Sequence, residues 1–354
     1  MEQSSPFRGL RVVELASVLA GPAVGMFFAE LGAEVIKVEN PATGGDMTRQ
    51  WKLPTEDPES KTSAYFSSVN WGKTHLFLDL SAKNDRKELF SLLEKADILL
   101  VNFKPGDAER FGVDAATMAR QFPKLIYAAL SGYGENDPRP AFDLALQAET
   151  GFMSMNGTEA SGPLKMPVAL IDVLAAHQLK EGILTALYLR EKTGKGSQVN
   201  VSLFDSAIAS LANQASNYFV AKHVPQRMGS LHPNIAPYGE TFVCKDGRSI
   251  VLAVGTDKQF VQLCETSGNP ALAKDDRFLT NASRVRNRAA LLELLAPFFT
   301  GTTAADASFS LQRHGVPHAV IRTVAEALDA PEGKKLMLGD SCVRTAVFRL
   351  RSAE

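Results

Sequence analysis

The chain has 354 residues, of which 45% are hydrophobic and 22% charged, and its formal net charge at pH 7 is −1. This length exceeds what one ordinary hydrophobic core occupies, so we expect a globular protein with two domains. The charge balance gives no electrostatic argument for nucleic-acid binding, which would need a basic face, although local Lys and Arg clusters suit a small anionic ligand.

Strands and helices alternate through the first part of the chain. Residues 11–15 are typical of a short buried strand, residues 22–31 of a helix stopped by Gly32, and residues 34–38 of a second strand. Together they predict a βαβ unit. The alternation continues with a predicted strand at 75–79, a helix at 85–95, and strands at 98–102 and 125–130. This order predicts an α/β fold with a Rossmann-like, mostly parallel sheet covered by helices on both faces.

An apolar run over 167–173 predicts an extended strand that holds a single acid, Asp172. A buried lone carboxylate is costly unless something pairs it or uses it. A helix is predicted over 172–190. Its apolar stripe is formed by Ala175, Leu179, Ile183, Ala186 and Leu187. Taken alone, Asp172 is interpreted first as the N-cap of this helix, with a chemical role as the alternative.

A strand at 198–202 and a helix at 205–218 complete the predicted large domain, which we place at residues 1–225. The composition then changes. Residues 228–237 are rich in Gly, Pro, Asn and His and predict a loop.

Residues 243–252 predict a β-hairpin that turns at Asp246-Gly247. Helical patterns dominate from 258 to 328. We therefore expect a smaller α+β domain at 226–330, followed by a C-terminal segment at 331–354.

The predictions of compartment and metal content depend on the cysteine and histidine spacing and on the search for long apolar segments. Cys244, Cys264 and Cys342 lie far apart without a CxxC pair, which predicts neither a disulfide framework nor a zinc site. His314 and His318 have no ligand-spaced partner, so we expect no metal. No stretch of about 18 apolar residues predicts a membrane span. Residues 1–6 lack the apolar core of a signal peptide, and we expect a cytoplasmic protein.

Two strand ends carry loops suited to a ligand, because ligands bind such sheets at the carboxyl ends of strands. Residues 16–22 follow the first strand, and residues 102–106 follow a later one. Lys104 and Arg110 could contact phosphate there. The alternative interpretation is that residues 16–22 form only a tight turn and residues 102–106 only a polar loop. The GxGxxG, GxxxxGK[ST] and GxSxG patterns are absent, which counts against dinucleotide, P-loop and serine-nucleophile chemistry.

Several short segments, in this order and spacing, resemble one known family. They are 10–15 (LRVVEL), 20–22 (AGP), 31–39 (LGAEVIKVE), 45–49 (GDMTR), 78–80 (LDL), 102–106 (NFKPG), 130–134 (LSGYG), 193–196 (TGKG), 232–238 (HPNIAPY) and 246–247 (DG). The chain resembles the class III CoA-transferases, a family that includes formyl-CoA transferase, carnitine CoA-transferase and the α-methylacyl-CoA racemases. The resemblance extends from about residue 7 to about residue 330.

The resemblance implies that Asp172 is a nucleophile. In family members that transfer CoA, an aspartate at this position attacks the acyl-CoA thioester, and a mixed anhydride and then an aspartyl-CoA thioester follow. A carboxylate is a weak nucleophile, so the site must desolvate and position it. With this resemblance, the catalytic role replaces the N-cap as the leading interpretation of Asp172.

The resemblance also places coenzyme A, bound as an acyl-CoA substrate, in the large domain. The residues that it implies for CoA are Val18, Leu19, Ala20, Asn40, Leu78, Leu80, Asn102, Lys104 and Arg110. Asn40 stands where some relatives have Arg. Trp51 and Phe142 lie where relatives place residues around the acyl group.

Two departures select among the branches of the family. Racemases carry a Gly-His-Asp segment whose His is the second acid–base group, whereas this chain has Ala141-Phe142-Asp143. Racemisation, in which one base removes the α-proton and a second acid–base group returns a proton to the other face, is therefore disfavoured. Asp143 is interpreted as structural or orienting. The glycine-run loop of formyl-CoA transferase is also missing, which favours a dicarboxylate or similar small acid as substrate.

The resemblance further implies an interlocked homodimer, with a C-terminal segment that returns toward the large domain. Residues 336–354 do not match the longer tail of relatives. Two alternatives to CoA transfer therefore stay open: an α-methylacyl-CoA racemase or epimerase, and a non-catalytic CoA-binding protein.

Overall fold

The computed structural model describes residues 5–350. The first four residues, within the segment predicted not to be a signal peptide, and the last four of the predicted C-terminal segment lie outside that range. The strands are β1 Arg11–Glu14, β2 Glu34–Glu39, β3 Thr74–Phe77, β4 Ile98–Val101, β5 Ile126–Ser131, β6 Gly157–Thr158, β7 Gly162–Pro163, β8 Gln198–Ser202, β9 Tyr238–Val243, β10 Ser249–Ala253, β11 His318–Val320, β12 Met337–Leu338 and β13 Cys342–Val343.

The α-helices are α1 Ala20–Glu30, α2 Ala64–Ser67, α3 Lys83–Leu93, α4 Asp107–Phe111, α5 Ala115–Gln121, α6 Asp143–Glu149, α7 Phe152–Met155, α8 Leu170–Thr193, α9 Leu203–Ala209, α10 Asn213–Ala221, α11 Asp257–Thr266, α12 Asn281–Arg286, α13 Arg288–Gly301, α14 Ala304–Arg313, α15 Val324–Asp329 and α16 Pro331–Lys334. Short 3-10 helices cover Pro41–Thr43, Met47–Gln50 and Pro270–Lys274.

A six-stranded parallel sheet forms the centre of the first compact unit, in the order β3-β2-β1-β4-β5-β8. In its register, Val13 on β1 faces Ile36 on one side and Leu99 on the other. The chain runs outward from β1 to β3 and then returns to β4, so the order reverses between β1 and β4. Ligands bind at such a reversal, outside the carboxyl ends of the strands. The predicted parallel sheet is confirmed.

Both faces of this sheet are covered, as expected for parallel strands. All four residues of β4 are buried. On β1, Val12 belongs to a core with α1 and α8, whereas the next residue, Val13, belongs to a core with α3 and α5. Successive strand residues point to opposite faces. The apolar run of each strand thus supports two helix layers at once.

The predicted strand over 167–173 is wrong, because this stretch is the approach to a helix. Helix α8 begins at Leu170, with Ala169 as N-cap, so Asp172 lies in its first turn. A short buried apolar run does not distinguish a strand from the start of a buried helix. The predicted stripe on α8 packs against the core, with Leu187 half-buried. Gly194, at φ 69°, ends the helix in a left-handed C-cap.

Two further elements differ from the sequence predictions. The single helix predicted over 205–218 is two helices, α9 and α10, with a break at Ala212, where φ is +48°. Strand β11 lies inside the stretch predicted to be helical from 258 to 328, because its three residues pair with β10. Such pairing with a distant strand has no local signal.

The second compact unit comprises residues 154–164 and 226–333. Its sheet has the antiparallel order β11-β10-β9. The predicted hairpin is confirmed as β9 and β10, with Gly247 at φ 79° in the turn. Its core includes Phe242, stacked on Phe299 with ring centroids 4.3 Å apart.

Of the described residues, the first unit includes 5–153, 165–225 and 334–350. The end of the described chain is attached to α1: the backbone N–H and hydroxyl of Thr345 each donate to Glu30 Oε1 at 2.7 Å. Ala346 is buried in the core beside α1. Among residues 5–350, no helix has both the length and the apolar character that crossing a membrane requires.

Candidate active site

The loop between β1 and α1 is held in an unusual conformation by two distant side chains. Val18 has φ +73°, a left-handed value that is rare for a β-branched residue. Its N–H donates to both carboxylate oxygens of Asp46, at 3.3 and 3.1 Å. Asn102 accepts from Ser17 N–H at 3.0 Å and donates to Ser17 O at 2.8 Å. Strained backbone of this kind persists only when its surroundings over-determine it.

Asp46 is itself anchored by buried charge. Lys37 Nζ lies 3.0 Å from Asp46 Oδ2 and 2.9 Å from Glu14 Oε1. Burial by itself lowers the pKa of Lys37, but Glu14 and Asp46 outweigh it and hold the pKa above its usual value. On the other side of Glu14, burial lowers the pKa of Lys73 to about 8 despite the nearby carboxylate. The β1–α1 loop is therefore held in place by a buried network of ion pairs.

A cavity of about 360 Å³ opens at the carboxyl ends of β1 to β3, which is within the size range of ligand pockets. Four residues predicted to bind CoA line it: Asn40, Leu78, Leu80 and Arg110. Ser17, which Asn102 binds, is also part of its wall. The two leucines supply apolar surface, and Arg110 supplies a largely exposed positive charge.

The remaining predicted CoA residues occupy other positions. Lys104 lines a neighbouring cavity beside Asn200 on β8, so the structure does not place it with Arg110. Val18, Leu19 and Ala20 form the loop and first residue of α1 next to Ser17. Both polar ends of the Asn102 amide bind the Ser17 backbone.

Asp172 is a buried carboxylate, with 8% of its surface exposed. Burial first, and the charge of Asp143 second, raise its pKa to about 7. Among the residues that the structure describes, none donates a hydrogen bond to its carboxylate oxygens. With a pKa near 7, both the protonated and the ionised form are populated at neutral pH, and the ionised form accepts no hydrogen bond from residues 5–350.

Asp143, the first residue of α6, caps the helix that holds Asp172. Its Oδ1 accepts from the N–H of Ile171 at 2.7 Å and of Asp172 at 3.4 Å. The interpretation of Asp172 as N-cap is therefore wrong, since Asp143 does the capping from 29 residues away in the chain. The orienting role expected for Asp143 agrees with this geometry.

Aromatic residues lie near the same group. Burial first, and then the charges of Asp172, Asp143 and Asp46, raise the pKa of Tyr65 to about 12. Its phenol is thus a protonated donor within electrostatic reach of Asp172. Trp51 packs edge-on against Tyr65 with ring centroids 5.0 Å apart. Phe142, which is largely exposed, directly precedes Asp143 as N-cap of α6.

Sequence reasoning missed three residues as parts of the site: Tyr65, Asp46 and Gln147, whose Nε2 donates to Asp143 Oδ2 at 2.6 Å. Asp46 falls within the motif at 45–49, but its bond to Val18 spans 28 residues and has no local signature. Tyr65 and Gln147 belong to no motif. Within residues 5–350, no three His, Cys, Asp or Glu side chains are grouped so as to hold a metal ion.

Comparison with known proteins gives consistent results. Residues 7–338 match the family model described as CoA-transferase family III. The succinate–glutarate CoA-transferase of Agrobacterium fabrum is 35% identical over 333 residues, which cover 92% of this chain and 82% of that protein. The acetyl-CoA:oxalate CoA-transferase of Acetobacter aceti is 36% identical over 331 residues, covering 92% and 83%. A crystal structure of a CaiB/BaiF family protein from Brucella suis aligns with TM-score 0.88 and 38% identity, over 99% of this chain and 94% of that one.

Proposed function

Because the chain belongs to CoA-transferase family III, we propose that it moves CoA from an acyl-CoA thioester to a free carboxylic acid, with Asp172 as nucleophile. One observation supports this most: the Asp172 carboxylate is buried and accepts no hydrogen bond from the described residues. Desolvation makes a carboxylate a stronger nucleophile than it is in water. The raised pKa of Asp172, about 7, reports the same desolvation.

The proposed exchange balances without water. The ionised Asp172 attacks the thioester carbonyl, the C–S bond breaks, and CoA leaves as thiolate, which gives a mixed anhydride on Asp172. The thiolate then attacks the aspartyl carbonyl and releases the donor acid as carboxylate, which leaves an aspartyl-CoA thioester. The acceptor carboxylate repeats these two steps in reverse and leaves as acyl-CoA, and Asp172 is regenerated. Tyr65, the nearby protonated phenol, is suited to donate to a developing oxyanion.

We place CoA along the carboxyl ends of the parallel strands. The cavity lined by Asn40, Leu78, Leu80 and Arg110 combines apolar walls with a cation for phosphate. Val18, Leu19 and Ala20 supply a helix N-terminus beside it, which favours anionic groups. Asn102 contributes in this arrangement through Ser17.

Lys104 would meet CoA only through the neighbouring cavity. Trp51 and Phe142 are the proposed neighbours of the acyl group, since Trp51 contacts Tyr65 and Phe142 precedes Asp143.

A small dicarboxylate is the proposed substrate class. The relatives above are named for succinate and glutarate or for oxalate, all of which are diacids. The absence of a glycine-run loop favours the same branch. Phe142, in place of the racemase histidine, leaves the α-carbon without a second base and disfavours racemisation.

Mass spectrometry of the protein after trapping with hydroxylamine tests the proposal. The chain is mixed with succinyl-CoA, glutaryl-CoA or acetyl-CoA and a panel of diacids, and hydroxylamine is added to trap activated acyl groups. We expect CoA exchange with at least one pair and a hydroxamate on the peptide that contains Asp172. Asp172→Ala should abolish both, while the surface control Asp137→Asn should retain both.

Three results would contradict the proposal. Full exchange by Asp172→Ala would exclude this residue as nucleophile. Deuterium entering the α-carbon without any acceptor acid would support the racemase alternative, and CoA binding without turnover across the panel would support a non-catalytic protein.

A further inference from the structure

We infer that Asp143 and Gln147 are positioning residues that bind the backbone entering α8, and so keep the Asp172 carboxylate free of hydrogen-bond donors. This inference rests on the proposed function of Asp172. It concerns two side chains on α6 that take no part in the proposed bond-making steps.

The two residues form one clamp. They stand four residues apart on α6, on the same face of the helix. Gln147 is fully buried, and its Nε2 donates to Asp143 Oδ2 at 2.6 Å. Its Oε1 accepts from Met166 N–H at 2.8 Å, and Nε2 lies 3.5 Å from Val168 O. Gln147 thus orients Asp143 and binds the segment that leads into α8.

Asp143 accepts two backbone N–H groups of the first turn of α8, beside the Asp172 side chain. With Ala169 as N-cap, Asp172 occupies the third position of the helix. In a capping box an acidic side chain there accepts the N–H of the N-cap residue, whereas the N–H groups of the second and third positions are the ones that an N-cap side chain accepts. Here Asp143 Oδ1 accepts from two of those N–H groups, on Ile171 and Asp172. The orphan amides of the helix are satisfied from outside, and the Asp172 oxygens remain available for bond formation.

The charge of Asp143 acts in the same direction. A carboxylate that accepts backbone N–H bonds has a lowered pKa, whereas a neighbouring like charge raises it. The titratable groups that interact with Asp172 are Asp143 on α6 and the phenol of Tyr65 on α2. Asp143 therefore withholds donors from Asp172 and repels its negative charge, and both effects keep the carboxylate basic.

The test uses Asp143→Asn and Gln147→Leu in the full-length protein. In Asp143→Asn the amide nitrogen that replaces Oδ2 cannot accept from Gln147 Nε2, so the clamp loses that hydrogen bond. We expect kcat to fall about ten- to hundred-fold with KM for acyl-CoA changed less than about two-fold, because positioning and not binding is lost. The midpoint of the pH profile of kcat/KM should move about one pH unit lower, since the like charge is removed. Gln147→Leu should lower kcat with the same unchanged KM.

Controls separate positioning from general helix capping and from the proposed function. Asp306→Asn alters a first-turn aspartate of α14 that bonds its cap residue Thr303, and it should leave kcat and the pH midpoint unchanged. A folded Asp143→Asn protein with wild-type kcat and pH midpoint would overturn the inference. If that variant does not fold, wild-type kcat in Gln147→Leu would overturn it instead.

The two proposals fail differently. If Asp172→Ala still exchanges CoA, Asp172 is not the nucleophile and the proposed function itself is contradicted. Loss of exchange in Asp172→Ala, together with wild-type kcat and pH midpoint in a folded Asp143→Asn protein, contradicts only the inference about Asp143 and Gln147.

Discussion

Two buried aspartates of the first unit show how surroundings decide the role of one residue type. Asp46 accepts hydrogen bonds from Val18 and Thr48 and forms an ion pair with Lys37. Asp172 has no such donor among the described residues and faces a second carboxylate. The first is a structural anchor because its charge is fully compensated. The second has the perturbed pKa that is typical of a functional group.

The Asp172 environment predicts a specific pH dependence of stability. Its pKa rises from an ordinary value near 3.8 to about 7 on folding, so the folded state binds more protons than the unfolded state between these values. The free energy of unfolding then falls as pH rises from about 4 to about 7, by at most about 4 kcal/mol. Asp172→Asn removes this fall.

Urea unfolding followed by circular dichroism checks this prediction. Asp172→Asn should be more stable than the wild type at pH 8 and close to it at pH 4.5. Asp137→Asn, which alters a partly exposed surface aspartate in an ion pair with Arg139, should give no gain at pH 8. Equal stability of Asp172→Asn and wild type at both pH values would show that the carboxylate is not desolvated.

At the scale of elements, apolar residues at helical spacing form one buried face on each packed helix. Helix α13 shows this clearly, because Leu295 is fully buried in the core of the second unit while its neighbour Leu294 is 38% exposed. Both residues are leucines in the same helix. A difference between their alanine variants in the free energy of unfolding therefore reports the difference in burial.

Leucine-to-alanine changes on α13 test this. Leu295→Ala should lower the free energy of unfolding by about 2–5 kcal/mol through lost burial and a residual cavity. Leu294→Ala should lower it by less than about 1 kcal/mol. Urea unfolding monitored in the second unit measures both. Equal losses for the two variants would contradict the observed packing of this helix.

At the scale of the whole molecule, apolar surface remains exposed on the first unit. Helix α10 exposes Phe219 by 69% and Val220 by 86%, and α8 exposes Tyr188 and Leu189. Exposed apolar groups of this size are typical of association sites. We propose that this surface takes part in the interlocked homodimer that the family resemblance implies.

Sedimentation equilibrium tests the proposed assembly. We expect about twice the mass of one chain at all concentrations from nanomolar to micromolar, because interlocked chains separate only by unfolding. Tagged and untagged copies mixed after purification should form no mixed dimers, whereas co-expressed copies should. A monomer mass, or rapid subunit exchange, would contradict an interlocked dimer.

The sequence by itself determined the parallel sheet and its helices, the hairpin at Asp246-Gly247 and the stripe on α8. Each of these follows from a periodicity of two or 3.6 residues or from a turn residue, which are local properties. It also singled out Asp172, through the order of short motifs.

Only the tertiary structure decided what surrounds that residue. Asp143 contacts Ile171 across 28 residues of chain, Asp46 contacts Val18 across 28, and Asn102 contacts Ser17 across 85. A side chain that caps a helix or holds a loop from such a distance leaves no periodic trace, because its partner is chosen by packing. The run over 167–173 is predicted as a strand although α8 begins at Leu170, and the side chain that caps this helix comes from α6, where no local signal in the run indicates it.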